Sequence, residues 1–384
     1  MRICVMYDCL FPWTVGGAER WYRELAERLA ADGHEVTYLT LLQWDPGDEP
    51  DLPGVEVVAI GKTRRPLYGA DGNRTIGPTL AFGLGAFLHL ARHARRYDLV
   101  HTASFPYFSL LAAGVVRPIA RYRIFCDWHE VWSAAYWRSY LGPVAGRIGW
   151  LVQWLCAQVP HTAYTFSRLH GGRLKGLARR RDVTVLSGEY GGDLTPPKPT
   201  PAPARPHVVY AGRWIAEKRV ASLVPALVQL RERMPDLHAT LLGAGPEREA
   251  VEAAIAAAGA GDYIHAPGFV SSEEVDATFA DASVVVQPSS REGYGMVVVE
   301  SAARGIPVVV AEAADNAAVE LVDEGVNGFV AASVDPEPLA AAIGRAITGG
   351  DALRSSTAAW FAANAERLSI QGSLTRIEQG YAQR

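Results

Sequence analysis

The sequence is poor in the residues that build covalent or metal-stapled frames. Four of its 384 residues are cysteine, Cys4, Cys9, Cys126 and Cys156. No two stand in a C-x2-C spacing, so neither a disulfide framework nor a zinc site is expected. Each reads as a small core hydrophobe in a reducing compartment. There is no Asp-x-Asp and no His/Asp ligand cluster, so no metal is assigned and none is expected to be essential. Charge is modest at 20% with a net of −4, an ordinary globular balance that excludes a general affinity for nucleic acid. No signal-peptide core is completed at the start, because Asp8 interrupts the apolar run Ile3–Tyr7. Residues 148–167 lack Asp, Glu, Lys and Arg over a length that would span a bilayer. Gln153, Gln158, Pro160 and His161 break that run into a helix ending near Cys156 and a strand over 161–167. The expected location is cytoplasmic, with room for peripheral contact at the inner face of a membrane.

What is present is a repeated alternation of short apolar strands and amphipathic helices. At 384 residues two domains are expected, and 49% apolar content fills two cores. Strands are expected at 2–7, 35–41, 55–60, 98–102, 121–126, 161–167 and 183–186, with helices at 18–32 and 78–96. Residues 191–206 hold six prolines in sixteen positions, which neither a helix nor a central strand accepts, so this is the linker between domains 1–190 and 207–350. The second half alternates again, with strands at 207–211, 237–242, 263–266, 283–287, 307–311 and 328–331. Helices are expected at 219–233, 246–258, 272–280 (with a Ser271/Glu274 capping box), 296–304, 316–323 and 336–348. The tail 351–384 is expected to be helical and to cross back to the first domain. The pattern predicts an α/β protein of two doubly wound parallel sheets, with ligands at the carboxyl ends of the strands. Residues 1–195 carry 22 Lys and Arg against 18 Asp and Glu, and the remainder 15 against 23. The mildly basic first half reads as chance and ordinary surface solvation, or else as a surface near a phosphorylated or membrane-bound partner, with Lys62, Arg64, Arg65 and Arg179 to Arg181 as candidates.

The run from Pro288 to Val309 carries the strongest chemical signal. A strand ends at Gln287, Gly293 and Gly295 flank Tyr294, and a helix follows from Met296 and Val297. Such a loop lets backbone N–H groups approach an anion. Glu292 and Glu300, roughly 10 Å apart by helix rise, can each accept hydrogen bonds from a diol. Gly212, Arg213 and Lys218 follow the first strand of the same half, and a guanidinium with an ammonium suits a departing phosphate. Gly243 and Gly245 form a second turn, and Gly268 with Phe269 a third. In the first half, Gly16 and Gly17 follow the first strand. His129 follows the fifth, in Asp127-Trp128-His129-Glu130, and Trp132, Tyr136, Trp137 and Tyr140 add an aromatic cluster. That cluster is either a buried helix face or a platform for an acceptor sugar.

These elements resemble the retaining glycosyltransferases of family 4, which have the GT-B fold. The carriers are Glu292-x7-Glu300, Gly16-Gly17-Ala18-Glu19, Ala211-Gly212-Arg213 with Glu217-Lys218, Gly243-Ala244-Gly245-Pro246, and His129. The resemblance implies two Rossmann-like domains facing a central cleft. It implies Glu292 on the donor hexose, Glu300 on the ribose, Arg213 and Lys218 on the diphosphate, and His129 at the transferred sugar or acceptor. Donor contacts would also come from Gly16, Gly17, Gly212, Gly243, Gly268, Phe269, Gly293, Tyr294, Gly295, Met296 and Val297. Asp127, Trp128, Glu130 and Trp132 would face the acceptor. It implies a hexosyl group moved with retention from a UDP- or GDP-sugar as co-substrate, with no tightly bound cofactor, by a monomer or weak dimer. The acceptor is either a small natural product, aminoglycoside- or nucleoside-like, or a lipid or polysaccharide precursor. This sequence departs from the family where Arg219 replaces a frequent glycine, where Glu189-Tyr190 alters the spacing after Ser187-Gly188, and where Asn316 lacks a preceding glycine. Two rivals are a nicotinamide oxidoreductase, weakened because Arg248 fills the last glycine position of the fingerprint, and a non-catalytic sugar-nucleotide binder.

Overall fold

The computed structural model describes residues 1–14, 16–62, 67, 69, 74–178 and 182–383. The basic candidates Arg64, Arg65 and Arg179 to Arg181 lie outside the described residues. The chain forms two compact units, one of Met1–Glu189 with Leu374–Arg384 and one of Tyr190–Ser373. Residues 191–206 have no regular structure and belong with the second unit. There the buried Arg354 donates to the Thr200 carbonyl and hydroxyl.

In the first unit the order is β1 (Arg2–Met6), α1 (Gly17–Ala31), β2 (Glu35–Leu41), β3 (Val55–Gly61), α2 (Ile76–His93), β4 (Leu99–Ala103), α3 (Phe108–Ala120), β5 (Arg123–Trp128), α4 (Ala134–Leu141), α5 (Pro143–Gln158), β6 (Thr162–Thr165), α6 (Arg168–Ala178) and β7 (Val183–Val185). Among the described residues the sheet has seven parallel strands in the order β3-β2-β1-β4-β5-β6-β7. Strands such as Ile3–Met6 and Leu99–Ala103 are buried on both faces, as expected of a parallel sheet covered by helices. The run 148–167 resolves into the end of α5 and all of β6. No helix among the described residues is long and apolar enough to cross a membrane. All four cysteines are buried, and none forms a disulfide among the described residues.

The second unit runs β8 (His207–Ala211), α7 (Leu223–Arg233), β9 (His238–Leu242), α8 (Arg248–Ala257), β10 (Ile264–Gly268), α9 (Ser272–Ala280), β11 (Val284–Gln287), β12 (Arg291–Glu292), α10 (Met296–Ala302), β13 (Val308–Ala311), β14 (Asp315–Asn316), β15 (Gly328–Ala331), α11 (Pro336–Thr348) and α12 (Gly350–Leu368). The last helix, α13 (Ile370–Ala382), enters the first unit at Leu374. The main sheet is parallel in the order β10-β9-β8-β11-β13-β15, and β12 pairs with β14. The expected helix at 316–323 is a single 3-10 stretch, Ala317–Leu321, capped by the Asn316 side chain. The expected helix at 296–304 stops at Ala302. Ser271 and Glu274 form the capping box reciprocally. The fold is the expected one: two Rossmann-like parallel-sheet domains.

Candidate active site

In each unit the strand order reverses once. Such a reversal leaves a crevice at the carboxyl ends of the two flanking strands, because their following helices lie on opposite faces. In the second unit the reversal falls between β8 and β11. The turns that follow these strands carry Arg213 with Lys218, and Ser289 with Glu292.

The two turns are tied together. Lys218 Nζ lies 2.5 Å from Glu292 Oε1, with both side chains about one-sixth exposed. Ser289 Oγ donates to the same carboxylate oxygen at 2.8 Å. The Glu217 carbonyl accepts from Ser290 N at 2.7 Å and from Ser290 Oγ at 3.1 Å, and Arg291 Nη2 approaches the Glu217 carboxylate at 3.5 Å. Arg213 is exposed, and its carbonyl accepts from the buried Tyr210 hydroxyl at 2.9 Å. The backbone of Arg213 is therefore fixed in the turn after β8, where the residue is exposed, and the ammonium–carboxylate pair is largely buried.

Arg219 has φ +50°. The glycine frequent there in the family thus corresponds to left-handed backbone, which an arginine occupies at a cost of about 1 kcal/mol.

The glycine turns are built by close backbone approach. A Cβ on Gly243 would sit 1.8 Å from the Gly212 carbonyl oxygen, and φ there is +131°. Gly243 N donates to the Gly268 carbonyl at 2.9 Å, so the turns after β8, β9 and β10 lie against one another. Phe269 beside them is 87% exposed. Gly295, at φ +112°, begins α10, and a Cβ there would lie 2.6 Å from Ala318 Cβ. Asn316 bonds to the carbonyls of Ser289 and Ala311 and accepts from Ala318 N. Tyr294 is buried, while Gly293, Met296, Val297 and Glu300 are partly exposed. The short helix sets Glu300 beyond Glu292 along the same run, and Arg304 Nη1 donates to the Glu300 carbonyl.

In the first unit the order reverses between β1 and β4. Gly16 stands before α1 with extended backbone, and a Cβ there would lie 2.2 Å from the Glu19 carboxylate. Gly17 has open space around its Cα. His129 follows β5. Its ring stacks on Phe166 at 4.5 Å and 3°, and Nδ1 lies 3.0 Å from Glu189 Oε1. Its buried Nε2 has no partner among the described residues. Burial opposes its protonation, but the hydrogen bond and charge of Glu189, with Asp127 and Glu130 adding, prevail and raise its pKa.

Two of the acceptor candidates, Asp127 and Trp128, are fully buried. Asp127 accepts from Trp21 Nε1 at 2.8 Å and Tyr22 OH at 2.9 Å, and lies 2.9 Å from His101 Nε2. Trp128 Nε1 donates to His161 at 3.0 Å. Consecutive on β5, the two side chains point to opposite faces of the sheet, and both faces are covered. Glu130 and Trp132 remain partly exposed and bond to each other. Trp132 packs against Trp137 and Tyr140 at 4.6 and 5.1 Å.

Sequence reasoning did not assign site roles to Glu189 or Ser289. Both stand in turns immediately next to quoted motifs, which was their only signal.

Two family models match: "Glycosyltransferase Family 4" over residues 15–165 and "Glycosyl transferases group 1" over residues 195–365. The chain belongs to the family 4 glycosyltransferases, of GT-B fold. It is 32% identical to the alpha-D-kanosaminyltransferase of Streptomyces kanamyceticus over 33% of this chain and 32% of that protein. It is 31% identical to the GDP-mannose-dependent alpha-(1-6)-phosphatidylinositol monomannoside mannosyltransferase of Mycolicibacterium smegmatis over 36% of this chain and 38% of that one. The matched stretches thus span about a third of these curated relatives' length. The solved structure of Anabaena HepE in complex with UDP superposes over the full length of both chains, with a TM-score of 0.72 and 20% identity.

Proposed function

We propose that this family 4 member transfers a hexosyl group, with retention, from a UDP- or GDP-sugar to an acceptor hydroxyl without an essential divalent metal. The observation that carries the reading is the meeting of Lys218, Ser289 and Glu292 at the β8/β11 crevice, with Arg213 exposed in the turn that carries Lys218. Lys218 and Arg213 neutralise the departing diphosphate. Glu292 takes the donor hexose hydroxyls and Glu300 the ribose diol. The acceptor attacks on the face the diphosphate leaves, and a phosphate oxygen takes its proton, so no enzyme nucleophile is required. Gly16, Gly17 and the His129 ring, whose buried Nε2 has no partner among the described residues, serve the reacting sugar. The UDP in the HepE complex and the GDP-mannose in the mannosyltransferase's name support a nucleoside-diphosphate donor.

The acceptor is a small natural product, aminoglycoside-like, in line with the likeness to the kanosaminyltransferase. A lipid acceptor is the second reading. It is favoured by an apolar pocket of about 260 Å³ in the first unit, lined by Ile76, Phe105, Tyr107, Trp137, Tyr140 and Ile148 among others.

The test incubates the chain with UDP- and GDP-sugars and both acceptor types, follows nucleoside-diphosphate release, and reads anomeric configuration by NMR. Release with a retained anomer supports the proposal. A donor that raises thermal stability but is never turned over would make the chain a sugar-nucleotide binder. At 100 times its Kd a ligand adds about 2.7 kcal/mol, so binding is visible either way.

A further inference from the structure

Helices α2, α3, α4, α5 and α6 contain no Asp or Glu. Over residues 72–181 there are fifteen Lys and Arg against three Asp and Glu. Of those three, Asp98 pairs with Arg2 and Asp127 is buried. The same helices leave large apolar side chains in solvent. On α2, Ile76, Leu80, Leu84, Phe87 and Leu88 are 38–60% exposed, and their three- and four-residue spacing puts them on one face. On α5 the face is Val144, Ile148, Leu151 and Leu155, with Trp154 beside it, at 37–70% exposure. On α3, Val115 and Ile119 are 65% and 72% exposed.

The helices that carry these faces pack against one another. A Cβ on Gly83 of α2 would lie 2.2 Å from Phe108 Cβ of α3, and one on Gly114 of α3 would lie 2.8 Å from Val159, just after α5. Ile76 and Thr79 of α2 and Ile148, Gly149 and Val152 of α5 line the same apolar pocket. Cations stand on and around the face. Arg147 is exposed within the α5 stripe, and Arg92, Arg121 and Arg138 are exposed at its edges.

We infer that this face of the first unit docks on an anionic lipid bilayer. A contiguous apolar face of this extent is not left in water without a use. Apolar side chains with a tryptophan and an arginine fringe match the boundary between acyl chains and anionic headgroups. The alternative occupant is a second copy of the chain, and charge opposes it. A two-fold contact would set the acid-free, cationic face against itself. The pocket between α2 and α5 offers a slot for an acyl chain at the same surface. This docking site is separate from the donor crevice and stands or falls apart from the donor chemistry. It also differs from the segments at 62–65 and 179–181 that the sequence offered for membrane contact.

The test is co-sedimentation of the full chain with vesicles of phosphatidylcholine alone and of equimolar phosphatidylcholine and phosphatidylglycerol. The chain is expected to pellet with the anionic vesicles, only weakly with the neutral ones, and less at high salt. Leu84→Gln combined with Leu151→Gln should lower partitioning by about a hundredfold, since both leucines enter the acyl region. Arg147→Glu should lower binding to the anionic vesicles by about tenfold. Both variants change exposed positions, and circular dichroism with a melting curve checks that each is folded. Absence of wild-type pelleting with either vesicle overturns the inference. So does equal pelleting by folded variants. A wild-type dimer that the leucine variant converts to a monomer, with no vesicle binding by either, would assign the face to a second copy instead.

Discussion

Lys218 and Glu292 neutralise each other across the β8/β11 crevice at 2.5 Å, and Ser289 donates to the same carboxylate oxygen. The pair couples the group assigned to the leaving diphosphate to the group assigned to the donor sugar. Lys218→Met and Glu292→Gln should each lower kcat for nucleotide release by about 10²- to 10³-fold. The double variant should lose far less than the product of the two, because either single change strands a half-buried partner. Strictly multiplicative losses in steady-state kinetics would show that the ion pair is not a functional unit.

His129 and Glu189 give the site a defined pH response. The folded histidine titrates above its ordinary value, chiefly because Glu189 and the neighbouring carboxylates outweigh burial. A group raised on folding contributes stability that is complete below its unfolded pKa of about 6.5 and disappears as pH rises through the folded value. The stability of the native chain should therefore fall as pH rises above about 6.5, and Glu189→Gln should abolish that component. NMR titration of the imidazole should show its pKa falling in the variant. An unchanged midpoint would remove Glu189 from the account.

Asp127 is a buried hub rather than an acceptor contact. Its pKa is lowered despite the opposing cost of burial, with His101 the main favourable partner. A carboxylate depressed on folding contributes stability present above about pH 3.9 and lost as pH falls through the folded value. His101 in turn meets Tyr381, so the hub ties α13 to the first sheet. Asp127→Ala should cost about 3–5 kcal/mol in urea unfolding at neutral pH, the usual penalty for stranding a buried polar partner. A loss below about 1 kcal/mol would mean that the tryptophan and tyrosine donors find other partners.

The strands and the two domains were legible because doubly buried strands are short, apolar and bounded by Gly, Pro or charge. Helix α3 was not: Phe-Ser-Leu-Leu-Ala-Ala-Gly-Val-Val-Arg-Pro-Ile-Ala is apolar all round, so it has no 3.6-residue contrast to read. Helix α6 was hidden by Gly171, Gly172 and Gly176, which carry little helix propensity. The donor loop could be read because its glycines and glutamates are adjacent in sequence. The Lys218–Glu292 pair spans 74 positions and the His129–Glu189 pair 60, and local patterns do not encode such pairings. The burial of Asp127 and Trp128 was not legible, because proximity to His129 in sequence says nothing about what covers each face of the strand.

Gly243 and Gly295 are fixed by geometry. Gly243→Ala places a methyl against the Gly212 carbonyl, and Gly295→Ala places one against Ala318, each at a positive φ. Both changes should destabilise the second unit by more than 1 kcal/mol and weaken nucleotide binding. Gly17→Ala meets open space and should leave thermal stability nearly unchanged. Equal melting temperatures for the three variants would contradict this reading of the turns.

Turnover should persist in EDTA. In the proposed reaction the charge on the leaving diphosphate is met by Arg213 and Lys218, which need no cation as intermediary. Among the described residues the one grouping with metal-ligand chemistry is His207, His238 and Asp281. His207 and His238 begin β8 and β9, at the opposite end of the sheet from Lys218 and Glu292. Their rings stack at 4.1 Å and 11°, so an ion in the plane of one imidazole lies well out of the plane of the other, which is poor ligation. Burial lowers the pKa of both, with the charge of His238 adding at His207 and that of Arg205 at His238. That fits a neutral stacked pair whose contribution to stability is lost as pH falls below about 6.5. Nucleotide release measured after chelation and again with added magnesium or manganese should give the same rate. Complete loss on chelation, restored by either ion, would place a metal in the reaction and overturn the assignment of leaving-group stabilisation to the two cationic side chains.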